Sequence, residues 1–119
     1  MIYLDNNATT KVDTEVLNAM LPYLKEEYGN PSSTYSIGKR VKDEITKARN
    51  NVAKLLNANP DNIIFTSCGS ESNNMILKGI AFANKHKGNH IITTKIEHPA
   101  VLNTCSYLEK IGFLFLYYY

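Results

Sequence analysis

The sequence predicts an α/β fold, with helices layered on a largely parallel sheet. Three observations carry that expectation. From residue 63 onward, short apolar β-rich runs alternate with amphipathic helical stretches in the order β-α-β-α-β. Before them, Ile37, Val41, Ile45, Ala48, Val52, Leu55 and Leu56 recur at three- and four-residue steps, the spacing of one face of a long helix. Turn-forming clusters separate these stretches, and no internal repeat or low-complexity linker interrupts them.

In chain order, Ile2-Tyr3-Leu4 is a brief extended piece that runs into the polar turn formers Asp5-Asn6-Asn7-Ala8-Thr9-Thr10. Asp13 or Thr14 can cap a helix whose apolar residues Val16, Leu17, Met20, Leu21 and Leu24 share a face. Pro22 falls inside that pattern and is expected to kink the helix or end it early. Tyr28-Gly29-Asn30-Pro31-Ser32-Ser33 reads as a loop, and the long helix follows it down to a turn at Asn57-Ala58-Asn59-Pro60-Asp61.

Ile63-Ile64-Phe65 has the composition of a short buried strand. It leads through Cys68-Gly69-Ser70 into a helix whose predicted inner face is Met75, Ile76, Gly79, Ile80 and Ala83. Lys85-His86-Lys87 suits the negative end of that helix, with Gly88 expected as its left-handed stop. His90-Ile91-Ile92-Thr93-Thr94 is a second strand. Pro99 fits the first position of a further helix lined by Ala100, Val101, Thr104, Leu108 and Ile111 and stopped by Gly112. The last β run is Phe113–Tyr119, an uncharged aromatic edge expected to favour self-association.

At 119 residues the chain is one domain at most. A hydrophobic fraction of 44% and a charged fraction of 20% are those of an ordinary soluble protein, so a buried core is expected. The net charge of +2 is not gathered into a nucleic-acid footprint: Lys39-Arg40-Val41-Lys42 is answered by Asp43-Glu44. Two cysteines, Cys68 and Cys105, make neither a disulfide framework nor a metal spacing, and both read as packing residues, Cys68 partly buried. No signal peptide or membrane-spanning run is spelled out, and the expected address is cytoplasmic, with no metal, nucleic acid or membrane as partner.

The chemistry concentrates at Cys68-Gly69-Ser70. A helix start exposes unpaired N–H groups backed by the positive end of the macrodipole, which receives phosphate or carboxylate readily. Gly69 lets a ligand approach the main chain, and Ser70 can cap the helix or offer a hydroxyl to an incoming oxygen. An ordinary capped helix start would look the same. Neither G-x-x-x-x-G-K-[ST] nor G-x-G-x-x-G is present, so the two common nucleotide loops are excluded. Ligands of such sheets gather at the carboxyl ends of the strands, where Ser70 and His98 should both lie. Taken alone, a histidine such as His98 is more often a helix cap or a surface residue than a ligand contact, and His86 and His90 read as structural.

Tyr3-Leu4-Asp5-Asn6-Asn7-Ala8-Thr9-Thr10, Gly29-Asn30-Pro31-Ser32-Ser33, Ile64–Asn73 and Glu97-His98-Pro99-Ala100-Val101 stand in an order and at distances that resemble the N-terminal part of a cysteine desulfurase of the NifS/IscS type. This is a pyridoxal-phosphate-dependent group within the class V aminotransferases. The resemblance implies the large domain of a fold-type-I enzyme, with 1–12 as a segment near the active site and 13–119 as a partial cofactor-binding α/β domain. It implies that Gly69 and Ser70 hold the phosphate of pyridoxal 5'-phosphate, and that His98 lies against its ring and can take part in proton transfer. Asn6, Ala8, Thr9 and Asn30 are implied on the substrate side.

The implied reaction removes sulfur from L-cysteine, leaving alanine and an enzyme persulfide that serves iron–sulfur cluster assembly or another sulfur-transfer pathway. Its implied partners are sulfur-acceptor or scaffold proteins, and its implied assembly a homodimer. The lysine that holds the cofactor covalently and the cysteine that takes the sulfur match nothing in this chain, so no catalytic residue is assigned and the chain by itself is expected to be inactive. Tyr35 departs from the pattern, standing where many relatives carry histidine, and Leu114–Tyr119 lacks the polar alternation of the family's strand there. A non-catalytic α/β module binding a phosphorylated ligand, a selenocysteine lyase and another class V fragment are the alternatives.

Overall fold

A computed structural model describes residues 2–119. The chain divides into two compact units, the first closing at Ile63 and the second spanning Ile64–Tyr119.

The first unit is helical. Asp5 opens a turn, its carbonyl accepting from the N–H groups of Ala8 (3.1 Å) and Thr9 (3.4 Å). Helix α1 (Thr14–Lys25) begins at Asp13, whose Oδ1 accepts from the N–H of Glu15 at 2.8 Å. It runs on past Pro22 to Lys25, so the proline does not end it. Its predicted apolar face is present in the spacing, but α1 buries none of its residues. Helix α2 (Ser36–Leu55) buries Gly38 and Ala53 rather than the predicted stripe. Of that stripe Ile37, Val41 and Val52 are half-buried, whereas Leu55 and Leu56 face solvent. Asn57, at φ 50°, turns the chain out of α2. A single turn of 3-10 helix (Pro60–Asn62) follows, capped by Asn59, and the Arg49 guanidinium donates to the carbonyl of Ile63.

The second unit places α3 (Gly69–Asn84), β1 (His90–Thr94), α4 (Pro99–Lys110) and β2 (Leu114–Tyr118) in order. The two strands pair in parallel, His90 opposite Leu114 through Thr94 opposite Tyr118, joined by α4 as the crossover. Ala81, Leu108 and Phe113 form the core, with Leu77, Ile91 and Phe115 packed against it. The parallel α/β layering expected from the sequence is therefore present.

Four local expectations need correction. Ile63–Phe65 forms no strand, since the sheet among the described residues consists of β1 and β2 alone. Met75, Ile76 and Ile80 remain exposed, since α3 packs through Leu77 and Ala81 onto α4. Gly88 is not left-handed; α3 ends at Asn84, and only Gly112, at φ 98°, takes that conformation among the described glycines. Ile111, predicted on the inner face of α4, is 40% exposed, and Cys105 is buried in its place.

Candidate functional site

The entrance to α3 is built from short polar side chains that organise one another. Cys68, in extended conformation, is the N-cap residue, so Ser70 lies within the first turn and does not cap the helix. The capping work falls to Glu71, which the sequence reading passed over. Its carboxylate accepts from the N–H of Ser67 (2.6 Å) and from the Ser67 hydroxyl (2.7 Å). This is a capping box displaced by one residue: the acid three residues into the helix reaches back to the chain just before it. A Ser67-x-x-x-Glu71 spacing was the signal available for it. The same two donors, the N–H foremost, hold the Glu71 carboxyl below its ordinary pKa. Thr66 and Ser72 share a hydroxyl–hydroxyl bond of 2.6 Å across the turn, and Thr66 also donates to the Cys68 carbonyl.

Cys68 is exposed, contrary to the partly buried packing role expected of it. The N–H of Glu71, then the Ser67 hydroxyl and the N–H of Ser70, lower its thiol pKa. The first turn of α3 thus offers N–H groups that favour a negative atom at this spot. A Cβ built on Gly69 would meet nothing within 4 Å, so the space over that backbone is open to a ligand. Open room, the N–H groups of the first helical turn and the Ser70 hydroxyl make a donor set that fits a phosphate monoester.

His98 is the N-cap of α4, its Nδ1 accepting from the N–H of Ala100 at 3.1 Å. That bond leaves Nε2 as the nitrogen that carries the proton in the neutral ring and faces away from the helix. Thr94, the last residue of β1, donates to Glu97 at 3.0 Å and fixes the short path into this cap. Cys105, on the same helix, is fully buried, and burial raises its thiol pKa.

Helices α3 and α4 pack on one another. The Lys78 ammonium sits 4.7 Å from the Tyr107 ring centre, and Ala81 shares the core with Leu108. Lys78 and Tyr107 each lie roughly two turns or a little more from the start of their own helix. Thr94 ends β1, and His98 stands four residues on, at the head of α4.

The remaining predicted residues occupy two turns of the first unit. Asn6, Ala8 and Thr9 lie on the exposed Asp5 turn, where Tyr3 bonds the Thr9 hydroxyl at 2.6 Å. Asn30 heads a turn of its own, with Oδ1 accepting from Ser32 N–H (2.9 Å) and its carbonyl from Ser33 N–H (3.0 Å). No helix among the described residues is long and apolar enough to cross a membrane, and no cluster of His, Cys, Asp and Glu among them could hold a metal ion.

A parallel α/β unit with a helix start whose donors suit an anion is an arrangement shared by many phosphate-binding proteins. Comparison with known proteins narrows the class. The model of the aminotransferase class-V family matches residues 2–113, and the chain belongs to that family. It is 55% identical over 116 residues to the cysteine desulfurase IscS of Clostridium botulinum (strain Kyoto / Type A2), covering 98% of this chain. It is 57% identical over 112 residues to the IscS of Methanosarcina thermophila, covering 94%. Among solved structures, a NifS-like protein superposes with a TM-score of 0.91 at 47% identity over 98% of this chain. SspA in complex with cysteine superposes with 0.89 at 42% identity over 97%. The chain spans 29% and 28% of the length of the two IscS relatives, and 32% and 33% of the two solved chains. Proteins of this family and its cysteine desulfurases depend on pyridoxal phosphate.

Proposed function

We propose that this chain supplies the phosphate-gripping part of a pyridoxal-phosphate-dependent cysteine desulfurase. The reaction is removal of sulfur from L-cysteine, with alanine as product and a persulfide passed to acceptor or scaffold proteins for iron–sulfur cluster assembly or related sulfur transfer. The observation that carries the reading is the α3 entrance: an exposed helix start, an unfilled space over Gly69 and the Ser70 hydroxyl.

Each residue has a role set by its chemistry. The N–H groups of Gly69 and Ser70 bind phosphate oxygens, and the Ser70 hydroxyl adds a donor whose rotor can follow them. His98 presents the flat face of its imidazole to the cofactor ring, while the bond from Ala100 N–H fixes the ring and keeps Nε2 as the atom that holds or passes a proton. Bound there, the cofactor supplies an electron sink for the substrate carbon. Asn6, Ala8, Thr9 and Asn30 belong to the substrate side, residues 1–12 forming a segment near the active site and 13–119 part of the cofactor-binding domain. The family resemblance supports a cytoplasmic homodimer. Nothing in the chain matches the lysine and cysteine motifs of the complete reaction, so the 119-residue chain alone has no desulfurase activity.

Fluorescence titration with pyridoxal phosphate and with pyridoxal tests the reading. The expected result is weak binding that needs the phosphate and falls about tenfold in Ser70→Ala, as for a lost hydrogen bond to a charged group. Equal binding of pyridoxal, or no change in Ser70→Ala, would sink it. Equal binding of any phosphate monoester would instead indicate a phosphate-ligand module. Incubation of the chain with pyridoxal phosphate and L-cysteine should release sulfide no faster than free cofactor does.

A further inference from the structure

We infer that Gly29 and Gly38 are positioning residues that set the Asn30–Ser33 turn against the first turn of α2. The inference rests on the substrate-side reading of Asn30 above and adds the device that fixes where Asn30 stands. A Cβ built on Gly38 would lie 2.4 Å from the Asn30 carbonyl oxygen, 3.0 Å from that of Ser33 and 3.1 Å from the Ser33 Cβ. A Cβ built on Gly29 would lie 2.7 Å from the carbonyl carbon of Ile37, 2.8 Å from its oxygen and 2.9 Å from the Gly38 nitrogen. Five of these six atoms belong to the backbone, which cannot swing aside as the tip of a long side chain can. Two segments of main chain therefore cross with no room for a methyl group on either.

The atom most directly blocked is the one that makes the turn. The Asn30 carbonyl accepts from Ser33 N–H, the Asn30 side chain accepts from Ser32 N–H, and Pro31 fixes the backbone between them. Displacing that carbonyl breaks the Ser33 bond and rotates the whole asparagine. Gly38 is also buried, one of only two such residues in α2, although a glycine within a helix ordinarily costs stability. Its retention there is explained by close approach, not by backbone angle, since its φ is not in the left-handed range. The consequence for the proposed function is geometric: the two glycines hold Asn30 and its turn in one fixed position.

The test is amide NMR on the 119-residue chain, with Gly38→Ala, Gly29→Ala and, as the same chemical change in open space, Gly79→Ala. In both Gly38→Ala and Gly29→Ala, exchange of the Ser33 amide should accelerate by about tenfold or more beyond any change in α1, while amides of α3 and α4 stay within about twofold of the parent. Gly79→Ala should leave Ser33 unchanged. Unaltered Ser33 exchange in both turn variants overturns the inference, and so does loss of protection throughout α1 and α2 in both, which would make the glycines general packing residues. A titration with L-cysteine separates the underlying reading: cysteine that shifts Ser32 and Ser33 in the parent, and binds about fivefold or more weakly in Gly38→Ala with pyridoxal phosphate affinity unchanged, supports both. Accelerated Ser33 exchange without any cysteine-induced shift in the parent keeps the positioning role and rejects the substrate-side assignment.

Discussion

The entrances to α2 and α3 are both loop-to-helix junctions containing a glycine, and they are built in opposite ways. At α2 the helix start has no side-chain cap, and the space around Gly38 is filled by carbonyl groups of the chain itself. At α3 the flanking side chains of Thr66, Ser67, Glu71 and Ser72 bond one another, while the space over Gly69 is left empty. The difference teaches that a glycine in such a junction answers one of two needs. It admits either the protein's own backbone or something from outside, and only the surrounding atoms say which.

The largest effect that could break this contrast concerns thiol reactivity. Cys68 is exposed at the α3 entrance with its pKa lowered by the N–H of Glu71, whereas Cys105 is buried with its pKa raised. Alkylation near neutral pH should modify Cys68 faster than Cys105 by about a hundredfold or more, read by peptide mass spectrometry. Pyridoxal phosphate should slow the Cys68 reaction. Comparable rates would mean that the α3 entrance is not the open, electropositive place described above.

Paired glycine substitutions sharpen the contrast next. Gly38→Ala should destabilise the first unit by about 1–3 kcal/mol, the usual cost of forcing atoms into filled space. Gly69→Ala, with nothing near the added methyl, should stay within about 0.5 kcal/mol of the parent in denaturant unfolding. Gly79→Ala, inside α3 and also open, should gain up to about 1 kcal/mol from helix propensity.

The smallest effect is a pH dependence at α3. The Glu71 carboxyl has a folded pKa below its ordinary value, so its contribution is present above the unfolded pKa and is lost as pH falls through the folded one. The Ser67 amide signal should follow that acid titration, and in Glu71→Gln it should not move.

Much of the fold was legible because it is written locally. Asp13 before α1, Pro99 at the head of α4, Gly112 after it and the β-branched run His90–Thr94 each act within a few residues, and each element formed where expected. The misses share one cause. Which face of α3 packs, whether Ile63–Phe65 becomes a strand, and whether Cys68 or Cys105 is the buried thiol all depend on partners distant in the chain. The candidate site divides in the same way. The motif around Gly69 and Ser70 pointed to an anion, but that Glu71 ties back to Ser67 and that Cys68 takes the cap position required the coordinates.

The residues alone determined the helix starts and stops, the parallel alternation and the family to which the motifs belong, because caps, turn formers and periodicity act over single turns of chain. Tertiary structure alone decided that α3 packs on α4 through Leu77 and Ala81, and that Gly38 is closed while Gly69 is open. Those are facts about space between segments, and free space has no spelling in a sequence.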